Sequence, residues 1–192
     1  LHDELGALLT AAKLDAARIK PKLAGLGPEA LERLSHLTAT LNSGIALKRR
    51  IIEDLRPSSL DNLGLLPALE ILCSEFAERS QVRVDTRLAP VSLTRSADLT
   101  TFRLVQESLN NIAKHAQAQV VTVSLAAEDG QAVVTVRDDG VGFDPARLAL
   151  GSHGLVGMRY RVQAEHGSLH LASAPGQGTR IEVRLPAAPL TC

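Results

Sequence analysis

No uninterrupted apolar run in the 192-residue sequence approaches the roughly 20 residues a helix needs to span a bilayer, and nothing at the N-terminus reads as a signal peptide. Charge of one sign is also lacking. The 21 Lys and Arg are matched by 21 Asp and Glu, so no basic field gathers nucleic acid, and any anion site must be local. Cysteine is scarce: Cys73 and Cys192 lie far apart, which fits a reducing compartment without a disulfide framework. Cys73 falls in an apolar helical run and reads as a buried structural thiol. No Cys/His spacing suggests zinc, and there is no Walker phosphate loop, internal repeat or low-complexity segment. What is present is apolar content, 45% of the chain. That suffices for one ordinary domain plus a smaller one, so disorder is a poor expectation.

Residues 1–23 place Leu5, Leu8, Leu9, Ala12, Ala16, Ile19 and Leu23 on one helical stripe. The run Gly25-Leu26-Gly27-Pro28 breaks it, with Pro28 suited to open a second helix. That helix, residues 29–55, carries a heptad seam of Leu31, Leu34, Leu41, Ile45, Ile52 and Leu55, with Thr38 and Lys48 at its remaining positions. A lone hairpin cannot bury both faces, so pairing with a second chain into a four-helix bundle is expected. Packing against the chain's own second domain is the alternative.

Past residue 60 the pattern changes. Helices are predicted over 63–79, 97–116 and 155–166, and strands over 82–88, 120–126, 132–137, 168–173 and 179–185. The second and third strands are joined by Glu128-Asp129-Gly130, a hairpin signal. The order predicts an α+β fold: a helical hairpin in residues 1–60, then an α/β sandwich in 61–192 with helices on one sheet face.

Four constellations carry chemistry. On one helix, Glu107 and Asn111 share a face with Lys114 or His115, a set of oxygens and cations suited to a magnesium triphosphate. Next, Asp138-Asp139-Gly140-Val141-Gly142 comes directly off a strand, where the glycines let a planar ring approach the backbone and Asp138 can accept from an amino group. The third, Gly151-Ser152-His153-Gly154-Leu155-Val156-Gly157, ends at a helix start, where free amides favour phosphate. The fourth is Gly176-Gln177-Gly178-Thr179, opening the last strand. Each taken alone reads as a solvated face or a plain turn.

In this order and at these spacings, the four resemble the sequence boxes of the ATPase superfamily that unites gyrase, heat-shock chaperones, mismatch-repair proteins and histidine kinases. The resemblance implies ATP and Mg2+ as cofactors, with Asn111 and Glu107 at the metal and Lys114 and His115 facing phosphate. Asp138 would take the adenine amino group in a pocket shaped by Gly140 and Gly142. His153, Gly154, Leu155 and Gly157 would belong to a lid over the phosphates, and the Thr179 hydroxyl would support the adenine.

The stretch Leu55-Arg56-Pro57-Ser58-Ser59-Leu60-Asp61-Asn62-Leu63-Gly64-Leu65 resembles the linker of nitrate-sensor-like sensor histidine kinases, and Leu1-His2-Asp3-Glu4-Leu5-Gly6 resembles their phosphoacceptor box. This implies a cytoplasmic, homodimeric kinase core of a two-component system. His2 would be the phosphorylated nucleophile, Asp3 the base that orients it, and a response regulator receiver domain the partner. Neutral imidazole is nucleophilic near its usual pKa, and in-line phosphoryl transfer needs mainly positioning and charge neutralisation. Because the sequence begins inside a helix without methionine, an upstream sensor, membrane-anchored or not, is expected. One departure stands out: five residues after the phosphoacceptor, where the subfamily typically carries glutamine to orient water for dephosphorylating the regulator, this chain has Ala7. The competing reading is a dimeric module that binds ATP and transfers nothing.

Overall fold

The computed structural model describes residues 2–20, 28–55, 57–145 and 153–187, with side chains described for 8–20, 29–46, 57–145 and 154–187. The chain divides into two compact units, Leu1–Ser58 and Ser59–Cys192. Leu60, 5% exposed, belongs to the core of the second unit.

The first unit is a pair of helices, α1 (His2–Ile19) and α2 (Pro28–Leu55), that pack on one another. Ala16 and Leu34 are buried, and Leu31, Leu41 and Ile45 of the heptad seam are half-buried. Leu8, Leu14, Ile19 and Leu37 remain exposed.

The second unit opens with a short helix, α3 (Ser58–Leu63), in the stretch read as a linker, followed by α4 (Leu65–Ser80), the helix expected over 63–79. Gly64, at φ 82°, separates them, a conformation that a helix cannot pass through and that glycine adopts without steric cost. Strand β1 (Arg83–Leu88) follows, then α5 (Arg95–Asn111). Thr94 caps α5, its side chain accepting from the Ala97 amide at 3.1 Å. The expected helix over 97–116 does not stay α-helical: from Ile112 to Ala116 it widens into a π turn, closed by Gln117 in the left-handed region.

β2 (Val120–Glu128) and β3 (Gln131–Asp138) form a hairpin. Its two turn residues, Asp129 and Gly130, both have positive φ, as a tight hairpin that matches strand twist requires. After β3 come α6 (His153–Ala164), β4 (Ser168–Ser173) and β5 (Thr179–Pro186).

Among the described residues the strands form one mixed sheet in the order β1-β2-β3-β5-β4, with β1 parallel to β2 and all other pairs antiparallel. Alternation at period two builds the core in rows. Val123, Val136, Ile181 and Leu171 stand side by side across four strands, as do Leu125, Val134, Val183 and Leu169. Phe76, Leu69, Leu104, Leu109 and Met158 bring α4, α5 and α6 into the same core. No helix among the described residues is long and apolar enough to cross a membrane.

Candidate functional site

Between α5, its π turn, the ends of β3, β4 and β5 and the start of α6 lies a cavity of about 480 Å3. Its wall is mainly apolar: Ile112, Ala116, Val136, Phe143, Leu155, Leu171 and Ile181. The polar groups are few, with Ser108, Asn111 and His115 from the helical side and Asp138 and Thr179 from the strands. Such a volume, apolar and sparsely polar, suits a small organic ligand.

Asp138 is the last residue of β3 and only 3% exposed. Burial pushes its carboxyl pKa above the ordinary value; amides of Gly140 and Thr179 pull partly the other way, and neighbouring Asp139 adds a further upward push. The Gly140 amide donates to it at 2.9 Å. The adjacent Asp139 has the opposite fate. Its exposed carboxylate accepts from the amides of Val120 at 2.9 Å and Gln119 at 2.8 Å, and its pKa is lowered. One carboxylate is therefore available to a ligand while its neighbour fastens the start of β2.

The loop beyond Asp138 is held against both sides of the cavity. The Val141 amide donates to the Ala116 carbonyl at 2.8 Å, so Gly140 runs along the end of the π turn with no space for a side chain. Gly142, at φ 59°, is pinned against the Ala174 carbonyl, and the Gly176 amide donates to the Val141 carbonyl at 2.6 Å.

On the helical side, Asn111 and His115 line the cavity, whereas Lys114 is exposed and does not. The π turn accounts for this: its wider ring moves the position one turn beyond Asn111 from between Lys114 and His115 towards His115. Glu107 sits outside the cavity wall, its carboxylate in the space left by the missing side chain of Gly154. Leu155 lines the cavity; Gly157 faces the Arg161 guanidinium instead. The side chains of His2, Asp3, Ala7 and His153 lie outside the described residues, as do Gly151 and Ser152 of the third constellation.

Ser173 is the functional candidate that sequence reasoning missed. It ends β4, opposite Thr179 of β5, which in turn lies opposite Asp138 of β3, so the three form a row across neighbouring strands. Its inward alternation with Leu169 and Leu171 was readable, but its pairing with Thr179 required the register.

Residues 1–60 match the family described as "Histidine kinase", and residues 97–189 the family described as "Histidine kinase-, DNA gyrase B-, and HSP90-like ATPase". The chain belongs to the histidine kinase family. It is 38% identical over 160 residues to the signal transduction histidine-protein kinase/phosphatase DegS of Brevibacillus brevis, covering 82% of this chain and 42% of that one. Against the nitrate/nitrite sensor protein NarX of Escherichia coli (strain K12), identity is 29% over 185 residues, covering 95% and 31%. The chain thus spans well under half the length of these histidine kinase relatives. The histidine kinase domain of the blue-light activated histidine kinase EL346 of Erythrobacter litoralis shares the fold, with a TM-score of 0.61, 21% identity and 94% of each chain covered.

Proposed function

We propose that this chain is the catalytic core of a sensor histidine kinase that binds Mg-ATP in the second unit, phosphorylates its own His2 and passes the phosphoryl group to an aspartate of a response regulator. The observation that carries the reading is Asp138. Packing alone gives no reason to bury a carboxylate at the end of an apolar cavity, since the Gly140 amide fills only part of its accepting capacity and a buried charge short of partners is costly. A ring bearing an amino group does, because it slides between apolar walls and offers the hydrogen bond the carboxylate needs.

In this reading Asp138 and Thr179 hold the adenine, and Gly140 and Gly142 let it lie against the backbone. Asn111 and Glu107 hold Mg2+. Magnesium takes a few protein oxygens and leaves its other positions to phosphate and water. His115 from the cavity wall and Lys114 from the solvent side face the phosphates. His153, Gly154, Leu155 and Gly157 bring the N-terminus of α6 over them, where free amides and the helix dipole favour anions. Bound Mg2+ would neutralise phosphate charge during transfer to the His2 imidazole, which Asp3 orients. Two chains associate through their helical pairs, the hairpins supplying the surface on which the regulator docks.

The test is incubation with Mg2+ and ATP labelled in its terminal phosphate. Acid-labile label should stay on the wild-type chain and be absent from His2→Gln, which should still bind nucleotide. Nucleotide binding without any retained label would leave an ATP-binding module in place of a kinase, and acid-resistant label would move the acceptor away from histidine.

A further inference from the structure

Ser173 ends the strand whose Leu171 lines the cavity, and its hydroxyl has three partners. It accepts from the Phe143 amide at 2.9 Å, donates to the Gly178 carbonyl at 2.9 Å, and lies 3.0 Å from the Thr179 hydroxyl. A serine has a single proton to give. Gly178 is buried, and a buried carbonyl stripped of its donor is costly, so the Ser173 proton is committed there. At the contact between the two hydroxyls, Ser173 must then accept and Thr179 must donate. The Thr179 proton therefore points along the sheet towards Ser173, and the Thr179 oxygen turns lone pairs towards the cavity it lines.

Beside it in the same row stands the Asp138 carboxylate, which when ionised only accepts. We infer that Ser173 is a specificity-determining positioning residue: by taking the Thr179 proton it leaves the strand edge of the cavity with acceptors alone, an edge that welcomes the amino group of adenine and repels an oxygen that only accepts in its place. The inference rests on the nucleotide reading of the site. It also assigns a reason for the Phe143 amide bond, since that bond fills a lone pair of Ser173 and fixes the direction of the others.

The chemistry predicts a specific failure. In Ser173→Ala, the Thr179 hydroxyl loses its acceptor, rotates, and can donate into the cavity, so an accepting oxygen in place of the amino group finds a partner it lacked before. The measurement is equilibrium binding of ATP and of 6-methoxypurine riboside triphosphate, which replaces the amino group by an ether oxygen that only accepts and leaves the adjacent ring nitrogen unprotonated. The wild type should prefer ATP, and Ser173→Ala should shrink that preference by about tenfold, the change expected when one hydrogen bond reverses its sense. Ser173→Thr, which keeps the hydroxyl, should restore it. Thr179→Val should also shrink the preference, and adding Ser173→Ala to it should change nothing further, because Ser173 acts through the Thr179 hydroxyl.

Equal weakening of both nucleotides in Ser173→Ala, with the ratio intact, would reduce Ser173 to a loop fastener and overturn the inference while leaving the site reading standing. An unchanged ratio in Thr179→Val would overturn it independently of how Ser173→Ala folds. A wild type that binds neither nucleotide would overturn the site reading and the inference together.

Discussion

Asp138 and Asp139 are chemically identical neighbours separated by what the fold does to them, and the separation has a consequence that pH can read. Burial raises the Asp138 pKa above that of an unfolded chain, so the folded state takes up a proton more readily. For such a group the stabilising contribution is present in full below the unfolded pKa of about 3.9 and is lost as pH rises through the folded value. An asparagine cannot ionise, keeps an oxygen for the Gly140 amide and avoids the buried charge. Asp138→Asn is therefore expected to raise the Tm of the nucleotide-free protein at pH 7, with the gain fading towards pH 4, while weakening ATP binding by about 1.5–3 kcal/mol. Thermal scans across pH and calorimetry check the two halves separately, and a Tm gain that grows on acidification would contradict the burial argument. Ala7 makes a second prediction at this scale. A methyl group can neither donate nor accept, so it cannot orient water. The wild type should dephosphorylate a chemically phosphorylated regulator slowly, and Ala7→Gln should accelerate the decay. Fast decay unaltered by glutamine would defeat this. At residue scale the strand-end motif made Asp138 and Thr179 legible, because a carboxylate and flanking glycines carry their chemistry in their spacing. Ser173 was not, because its role comes from a strand partner.

Elements were legible where a hydrophobic period runs unbroken and illegible where the backbone changes without a change in pattern. The strands β1 to β5 and the helices α1, α2, α5 and α6 announce themselves through apolar spacing and turn residues such as Asp129 and Gly130. The π turn does not, because Ile112 and Ala116 continue an apolar pattern while only the hydrogen-bond ring widens. Nor does the parallel pairing of β1 with β2, which joins segments separated by all of α5. The elements around the cavity also set how its glycines respond to substitution. At Gly142 a side chain would meet the carbonyl of Ala174 in a backbone with positive φ, and neither can yield. At Gly154 it would meet only the carboxylate end of Glu107, which can swing aside. Gly142→Ala should therefore cost about 1–3 kcal/mol of stability. Gly154→Ala should leave Tm unchanged or raise it, since alanine favours helix over glycine by up to about 1 kcal/mol. By displacing Glu107, Gly154→Ala should instead reduce the Mg2+-dependent part of ATP affinity. Equal loss of stability in both variants would show that Gly154 is as tightly enclosed as Gly142.

For the whole molecule the open balance is in the first unit, where the described side chains of the two helices bury very little. Among the described side chains there, Ala16 and Leu34 are buried, while Leu8 is 68% exposed and Leu37 49% exposed. Leu14 and Ile19 join them on the surface. Two packed helices have one interface, and large apolar side chains outside it lie in water unless another surface covers them. The seam residues Leu41 and Ile45 are only half-buried by α1, which leaves part of the heptad stripe for a partner as well. A second copy of the same pair would meet both needs by forming a four-helix bundle, in which apolar residues from all four helices meet at the centre. Replacing Leu8 and Leu37 together by aspartate tests this without disturbing the packing of α1 on α2, because both side chains stand outside it. In a dimer the change would bury unpaired charge, which is strongly unfavourable. Light scattering over a concentration series should report a dimer for the wild type and a monomer for the double variant. Tyr160→Asp, at an exposed position of the second unit, should leave the dimer intact. The monomeric variant should still bind ATP with wild-type affinity, since every group proposed to hold the nucleotide comes from the second unit. A dimer that persists in the Leu8 and Leu37 variant would place the contact between copies somewhere other than this exposed apolar surface.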